Sequence, residues 1–352
     1  MLPAQKNLQF IQLLRGIACI LVALMHITVT FSQTYHLPFL WNIFKFGGGG
    51  VDIFFVLSGF IITYSNKQYI TKPASIGKFL KKRMIRIFPI YWIIISLLLV
   101  FQLLLPSFYR THFQLTAVNI FNTYFLLPNH EMINGVSWSL TNEMFFYILF
   151  ILALLIPSKK FILLVLFVYL AFLLVLPAIP ITSSNNSNGF TQLLLFPMNI
   201  EFLLGILVVF LLEKFPKTWC FPFLIMGAGC FIFSAVFYIK ILQFFNGEYV
   251  RVIMFGFPSF LIILSLVKYE LAVNIKVNNL FLKLGDASYS IYLFHLPVVV
   301  AFFKLSVKLP ITNHLLLVLL SGGMLFVICY AGILVYKKIE SPLIKWLNIT
   351  LA

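Results

Sequence analysis

Ten long apolar runs separated by short polar stretches set the pattern of the chain: residues 11–31, 47–64, 87–106, 138–156, 161–179, 192–212, 221–239, 250–266, 286–305 and 315–336. Each is close to the roughly 20 residues a helix needs to cross a bilayer, and too long for the roughly 10-residue strands of a membrane barrel. Backbone N–H and C=O groups find no water in lipid, so these runs are predicted to satisfy them internally, as helices. The expected fold is all-α: a polytopic membrane helix bundle of about ten transmembrane helices, forming one integral-membrane domain over residues 1–352 with no additional periplasmic domain. The longest connection, 107–137, mixes aromatics with Pro128 and Gly135 and is predicted to include an interfacial helix. The tail from Lys337 is amphipathic, with Lys345 and Trp346 suited to the membrane surface. Ser183 to Gly189 reads as a solvated turn, and no internal repeat of the inverted-transporter kind is visible.

Composition narrows the class. Of 352 residues, 62% are apolar and only 10% charged, against about 25% charged in a soluble domain. That excludes a soluble enzyme, a disordered chain and a disulfide scaffold. Net charge is +16, from 25 Lys and Arg against 9 Asp and Glu. In a soluble chain this balance suggests nucleic acid; here the cations stand at the ends of apolar runs. With the runs threaded alternately, 19 of the 25 fall on the N-terminal side and 6 opposite, which sets both termini in the cytoplasm. Cys19, Cys220, Cys230 and Cys329 show no metal-type spacing and read as small hydrophobes. The first run has no small-residue cleavage site after it and is read as a retained span.

Ionisable groups at membrane depth are costly and mark function by default. Arg15 and His26 are eleven residues apart in LRGIACILVALMHI. That is about three helical turns, so both lie on one face, about 16 Å apart. Asp52, in GGGGVDIFFVLSGF, and Glu143, in VSWSLTNEMFFY, stand at a depth matching His26, about 7 Å below the outer interface. A histidine beside a carboxylate is the arrangement of an oriented general base; the competing reading is that each carboxylate caps a helix start. Asp52 is the more exposed to that reading, and Glu143 is the favoured partner. On the inner side, Arg83 and Arg86 are three apart and share a helical face. Such a pair of guanidinium forks suits phosphate, although topology and anionic lipid account for basic residues there too. Glu201 and His295 are weaker candidates near mid-membrane, to line a cavity or pair with another buried polar group. Asp286 is expected to cap the helix that follows it. His36, His112, His130 and His314 carry no assigned role.

Taken in order, these blocks resemble the membrane acyltransferase-3 family. The resemblance rests on R-x10-H as Arg15 and His26, GGGGVDIFFVLSGFII, the R-x-x-R pair Arg83 and Arg86 in KKRMIRIFPIYW, W-S-L-x-x-E ending in Glu143, SYSIYLFHLP and KKIESPLIKW. One departure is Pro197-Met198-Asn199, where relatives often carry an Arg; a donor-binding role near Glu201 is not expected.

The resemblance implies a membrane-embedded O-acyltransferase of the bacterial inner membrane, most simply an O-acetyltransferase. It would take an acyl group from cytosolic acetyl-CoA or another acyl-CoA and pass it to a hydroxyl of a cell-surface or lipid-linked carbohydrate. Arg15, Arg83 and Arg86 would hold the phosphates of the donor. His26 would be the general base with Glu143, or failing that Asp52, beside it; an acyl-His intermediate is the other mechanism. No permanently bound cofactor, metal or nucleic acid is expected. The contrasting reading is a transporter or flippase for a glycolipid or polysaccharide, which would use the same buried charges as a polar path.

Overall fold

The computed structural model describes residues 8–70, 72–105, 113–128, 131–156, 158–175, 189–244, 247–273, 275–311 and 313–351. Lys6, Pro106, Arg110, His112, His130, the turn from Ser183 to Asn188 and the end of the 161–179 run lie outside them.

Each of the ten apolar runs coincides with helix. In chain order the helices are α1 (Gln9–Tyr35), α2 (Gly49–Asn66), α3 (Ile76–Leu104), α4 (Ala117–Tyr124), α5 (Ser137–Leu155), α6 (Lys159–Val175), α7 (Gly189–Leu195) and α8 (Asn199–Leu211). They continue with α9 (Cys220–Phe244), α10 (Glu248–Arg251), α11 (Phe257–Ala272), α12 (Asn279–Asp286), α13 (Ser288–Ser306), α14 (His314–Val335) and α15 (Ser341–Thr350). Among the described residues, eight helical segments are long and apolar enough to cross a membrane, and the α7–α8 pair makes a ninth if read as one span bent by 45°. The break falls at Pro197, which has no N–H to give the helix. The remaining run is α6, whose 17 described residues end where the description does. The expected interfacial helix is α4, and α3 holds it: Tyr91 Oη donates to Thr123 O at 2.8 Å and Trp92 Nε1 to Tyr124 O at 2.9 Å. The tail helix α15 leaves Trp346 exposed.

Without a hydrophobic force between helices in lipid, close packing has to come from small residues that let backbones meet. A Cβ on Gly59 of α2 would collide with Phe202 O of α8, and one on Gly205 of α8 with Val56 O of α2. The glycine run repeats the device at the other end of α2, where Cβ atoms on Gly47 and Gly50 would strike Leu21 O and Ala18 O of α1. These contacts press α2 between α1 and α8. The N-terminus of α1 is fixed from α11: the backbone N–H groups of Gln9 and Phe10 donate to the buried Glu270 carboxylate at 2.5 and 2.9 Å. A carboxylate at a helix start also meets the positive end of the helix dipole.

Asp286 departs from expectation. It is the last residue of α12 rather than the cap of α13, whose preceding residue is Ala287. The side chain that caps here is Asn278, which accepts from Leu280 N at 2.8 Å at the start of α12.

Candidate donor cavity and histidine pair

A cavity of about 330 Å³ lies between α1, α2, α3, α5 and α13, and its wall carries Arg15, Arg83, Arg86 and Glu143. This volume is at the lower end of the usual range for small-molecule sites, roughly 300–1,000 Å³. Its lining on α2 runs from Ser65 to Val51, fourteen residues or about 21 Å of helix. Exposure falls along that path. Arg86 is exposed and Tyr64, Ser65 and Gln12 are half-buried, whereas Val51, Ser139, Leu140 and Tyr292 are buried. The cavity therefore opens at the end that holds the N-terminus of α1 and the connection from α2 to α3, and it is blind at the other.

The arginines come from two helices. Arg83 and Arg86 sit one turn apart on α3, as the spacing implied. The Arg83 guanidinium lies 5.4 Å from the Tyr147 ring and 5.6 Å from the Phe79 ring, both at cation–π distance. Arg15 Nη1 donates to Gln12 Oε1 at 3.4 Å, and its charged neighbours are Arg86, Glu340 and Glu143. Glu143 accepts from Tyr147 Oη at 2.6 Å, one turn along α5. Three guanidiniums against one carboxylate leave the wall net cationic. Asp286 stands nearby, half-buried; burial pushes its carboxyl up, and the Arg15 and Arg86 guanidiniums pull it back down.

His26 does not line this cavity. Its ring meets His295 of α13 edge-on, with centroids 5.1 Å apart and planes at 71°. His26 Nδ1 is 3.2 Å from Val22 O and His295 Nδ1 is 2.6 Å from Tyr292 O. A carbonyl oxygen only accepts, so Nδ1 carries a proton in both rings and Nε2 is the nitrogen turned away from the helix backbone. The polar partner of His26 is thus a carbonyl on its own helix and that of Glu143 is Tyr147. The structure groups Glu143 with the arginines and His26 with His295. Tyr292 bridges the two groups: its ring lines the cavity and lies 5.6 Å from that of His295.

Asp52 is held elsewhere. It is wholly buried in the first turn of α2, 2.7 Å from Arg251 Nη2, which also donates to Gly48 O at 3.2 Å. The dipole at a helix start favours a carboxylate, and Arg251 supplies the counter-charge from α10. Glu201 is buried beneath this pair with Asp52, Arg251 and Glu248 as charged neighbours. Its carboxylate lies against Gly256, where a Cβ would come within 2.6 Å of Oε1.

Two residues that sequence reasoning ranked low or passed over stand at central places. His295 was a weak candidate and proves to be the ring partner of His26. Glu340, in the KKIESP block, is buried and accepts from Ser290 Oγ, tying the chain after α14 to α13. Both belong to blocks already noted as sequence patterns, so the signal was present without a partner to attach to it.

These features define a helical membrane protein built around a cation-lined blind cavity with a histidine pair beyond its closed end. The chain belongs to the acyltransferase-3 family: the profile of that family, described as an acyltransferase domain, matches residues 8–334. It is 26% identical over 322 residues to the exopolysaccharide production protein ExoZ of Rhizobium meliloti, covering 86% of this chain and 91% of ExoZ. It is also 26% identical over 350 residues to the O-acetyltransferase OatA of Staphylococcus aureus, covering 88% of this chain and 54% of OatA. A 121-residue stretch is 36% identical to nodulation protein 10 of Rhizobium leguminosarum, covering 29% of this chain and 32% of that protein. This chain thus spans about half the length of OatA. No solved structure matches.

Proposed function

We propose that this acyltransferase moves an acyl group, acetyl in the simplest case, from acyl-CoA on the cytoplasmic side to a hydroxyl of a cell-surface or lipid-linked carbohydrate in a bacterial inner membrane. The observation that carries the reading is the blind cavity with Arg15, Arg83 and Arg86 on its wall. Guanidinium forks match phosphate oxygens, and a cavity open at the basic end would take the nucleotide there while the pantetheine arm runs inward along α2. The names of ExoZ and OatA, a polysaccharide production protein and an O-acetyltransferase, support a carbohydrate acceptor and an acetyl group.

In this reading neutral His26, its Nδ1–H held by Val22 O, takes the proton of the acceptor hydroxyl on Nε2. The oxygen attacks the thioester carbonyl, the C–O bond forms and the C–S bond breaks. CoA leaves as thiolate and recovers the proton from His26, so the imidazole ends neutral. Tyr292 and His295 stand between the closed end of the cavity and His26, so their rings would have to turn aside for the thioester to meet the base. Glu143 works at the donor end, where its carboxylate offsets part of the guanidinium charge. Asp52 serves by holding α2 to α10 through Arg251.

Mass spectrometry of surface glycans from cells with the protein, without it, and with His26→Ala tests the reading. An acyl group present only with the wild-type chain is the expected result; identical glycans in all three would refute it.

A further inference from the structure

The blind end of the cavity differs from the rest of its wall. The arginines and Glu143 are left behind, and the surface becomes Val51, Phe54, Leu140 and Tyr292, with Ser139 beside them. Of these, Val51, Leu140, Ser139 and Tyr292 are buried. Phe54 and Tyr292 meet edge-on with ring centroids 5.8 Å apart, closing the wall on the side of His295. Phe54 is only half-buried, yet it packs against all three apolar clusters of the bundle. It stands where those clusters meet rather than within one of them.

One polar feature interrupts this apolar end. Tyr292 Oη and Ser139 Oγ are 2.7 Å apart, and each also has Val136 O as an acceptor, at 3.4 and 3.0 Å. Two hydroxyls supply two protons. With Ser139 Oγ donating to Val136 O, Tyr292 Oη donates to Ser139 Oγ, so both protons are taken and the pair satisfies itself.

We propose that this blind end is the acyl subsite: Phe54 and Leu140, beside the self-paired hydroxyls of Tyr292 and Ser139, limit the length of the acyl chain it accepts. The proposal rests on the acyl-CoA reading above and deepens it, by assigning the donor a short unbranched acyl group. Apolar walls of Val51, Phe54 and Leu140 suit a hydrocarbon chain and supply no cation for a dicarboxylic one. The subsite adjoins His295 through Tyr292, so an acyl carbonyl bound there lies on the histidine side of the cavity.

The experiment uses the full chain in nanodiscs, with CoA, acetyl-CoA, butyryl-CoA and hexanoyl-CoA as probes, measuring affinity by calorimetry. Wild type should bind acetyl-CoA at least tenfold more tightly than hexanoyl-CoA. Phe54→Ala should reduce that ratio at least tenfold while leaving CoA itself within about twofold, because the phosphates bind at the far end. Since Phe54 touches three clusters, Leu140→Ala is the second variant, with the same expected direction. CoA binding by all proteins with an unchanged chain-length ratio in both Phe54→Ala and Leu140→Ala would overturn the subsite and leave the donor reading intact. Absence of CoA binding by wild type would overturn both.

Discussion

Replacing Arg83 with alanine takes from the cavity a guanidinium that is half-buried and held at cation–π distance from two aromatic rings, Phe79 and Tyr147. Such a side chain is already oriented, so little conformational freedom is lost when a phosphate binds it. A hydrogen bond to a charged group contributes roughly 1.5–3 kcal/mol, and about 1.4 kcal/mol is tenfold in affinity. Arg83→Ala is therefore expected to weaken CoA binding about 10- to 150-fold. Arg86 is exposed to solvent at the cavity mouth, where screening reduces the contribution of a charge, so Arg86→Ala should fall at or below the lower end. Arg83→Lys keeps the charge but loses the planar fork and the stacking, and should lie between wild type and alanine. Glu143→Gln should act in the opposite sense. Removing the one carboxylate among three arginines relieves repulsion toward an anion, worth about 0.5–1 kcal/mol at a partly solvated site, or roughly two- to fivefold tighter binding. Calorimetry of CoA in nanodiscs at two salt concentrations reads all four. Unchanged affinity in both alanine variants, with no salt dependence in wild type, would return these arginines to the role of topology signals.

Four further outcomes follow from the same geometry. His26→Ala should lower transfer by about 10²- to 10⁴-fold, the usual contribution of a positioned base, and leave CoA affinity intact because His26 lies outside the cavity wall; weakened CoA binding would contradict the placement. Asp52→Asn should lower thermal stability sharply, since breaking a buried ion pair costs about 3–5 kcal/mol, while protein that folds keeps its activity; an inactive, fully stable variant would make Asp52 chemical rather than structural. Gly59→Ala should destabilise the α2–α8 contact, by about 1–3 kcal/mol or more for overpacking, read as a lower melting temperature; no change would mean the helices are not in backbone contact. A cysteine at the exposed Lys72, in a background free of native cysteines, should react with an impermeant reagent only after the inner face is opened, and labelling in intact cells would reverse the topology.

The helices were legible in the chain because lipid leaves the backbone one solution, and an apolar run of about 20 residues states it directly. The cavity arginines were legible for a related reason: the R-x-x-R spacing puts both on one face, and the helix keeps them there. What the chain does not state is which face meets which. Matching His26 to Glu143 by depth counted residues along two helices and took no account of rotation about each axis. Rotation turns Glu143 toward Tyr147 and Arg15, and His26 toward His295, 269 positions away. The Asp52–Arg251 pair, separated by 199 residues, was hidden in the same way. Asp286 was misplaced for a local reason. The short helix α12 occupies the stretch just before α13 and ends on Asp286, and its start signal is Asn278, one helix earlier.

The central claim is that an acyl group carried on CoA at the arginine end of the cavity leaves on a carbohydrate at the other side of the membrane by way of His26. Inside-out membrane vesicles that contain the protein present the arginine end to the medium and the acceptor to the lumen. Supplied with isotopically labelled acetyl-CoA, wild-type vesicles should place label on luminal glycan, His26→Ala vesicles should place about 10²- to 10⁴-fold less, and Arg83→Ala vesicles should need about 10- to 150-fold more donor to match wild type. Translocation of glycan without any label, equal in wild type and His26→Ala, would contradict the account and make the cavity a transport path.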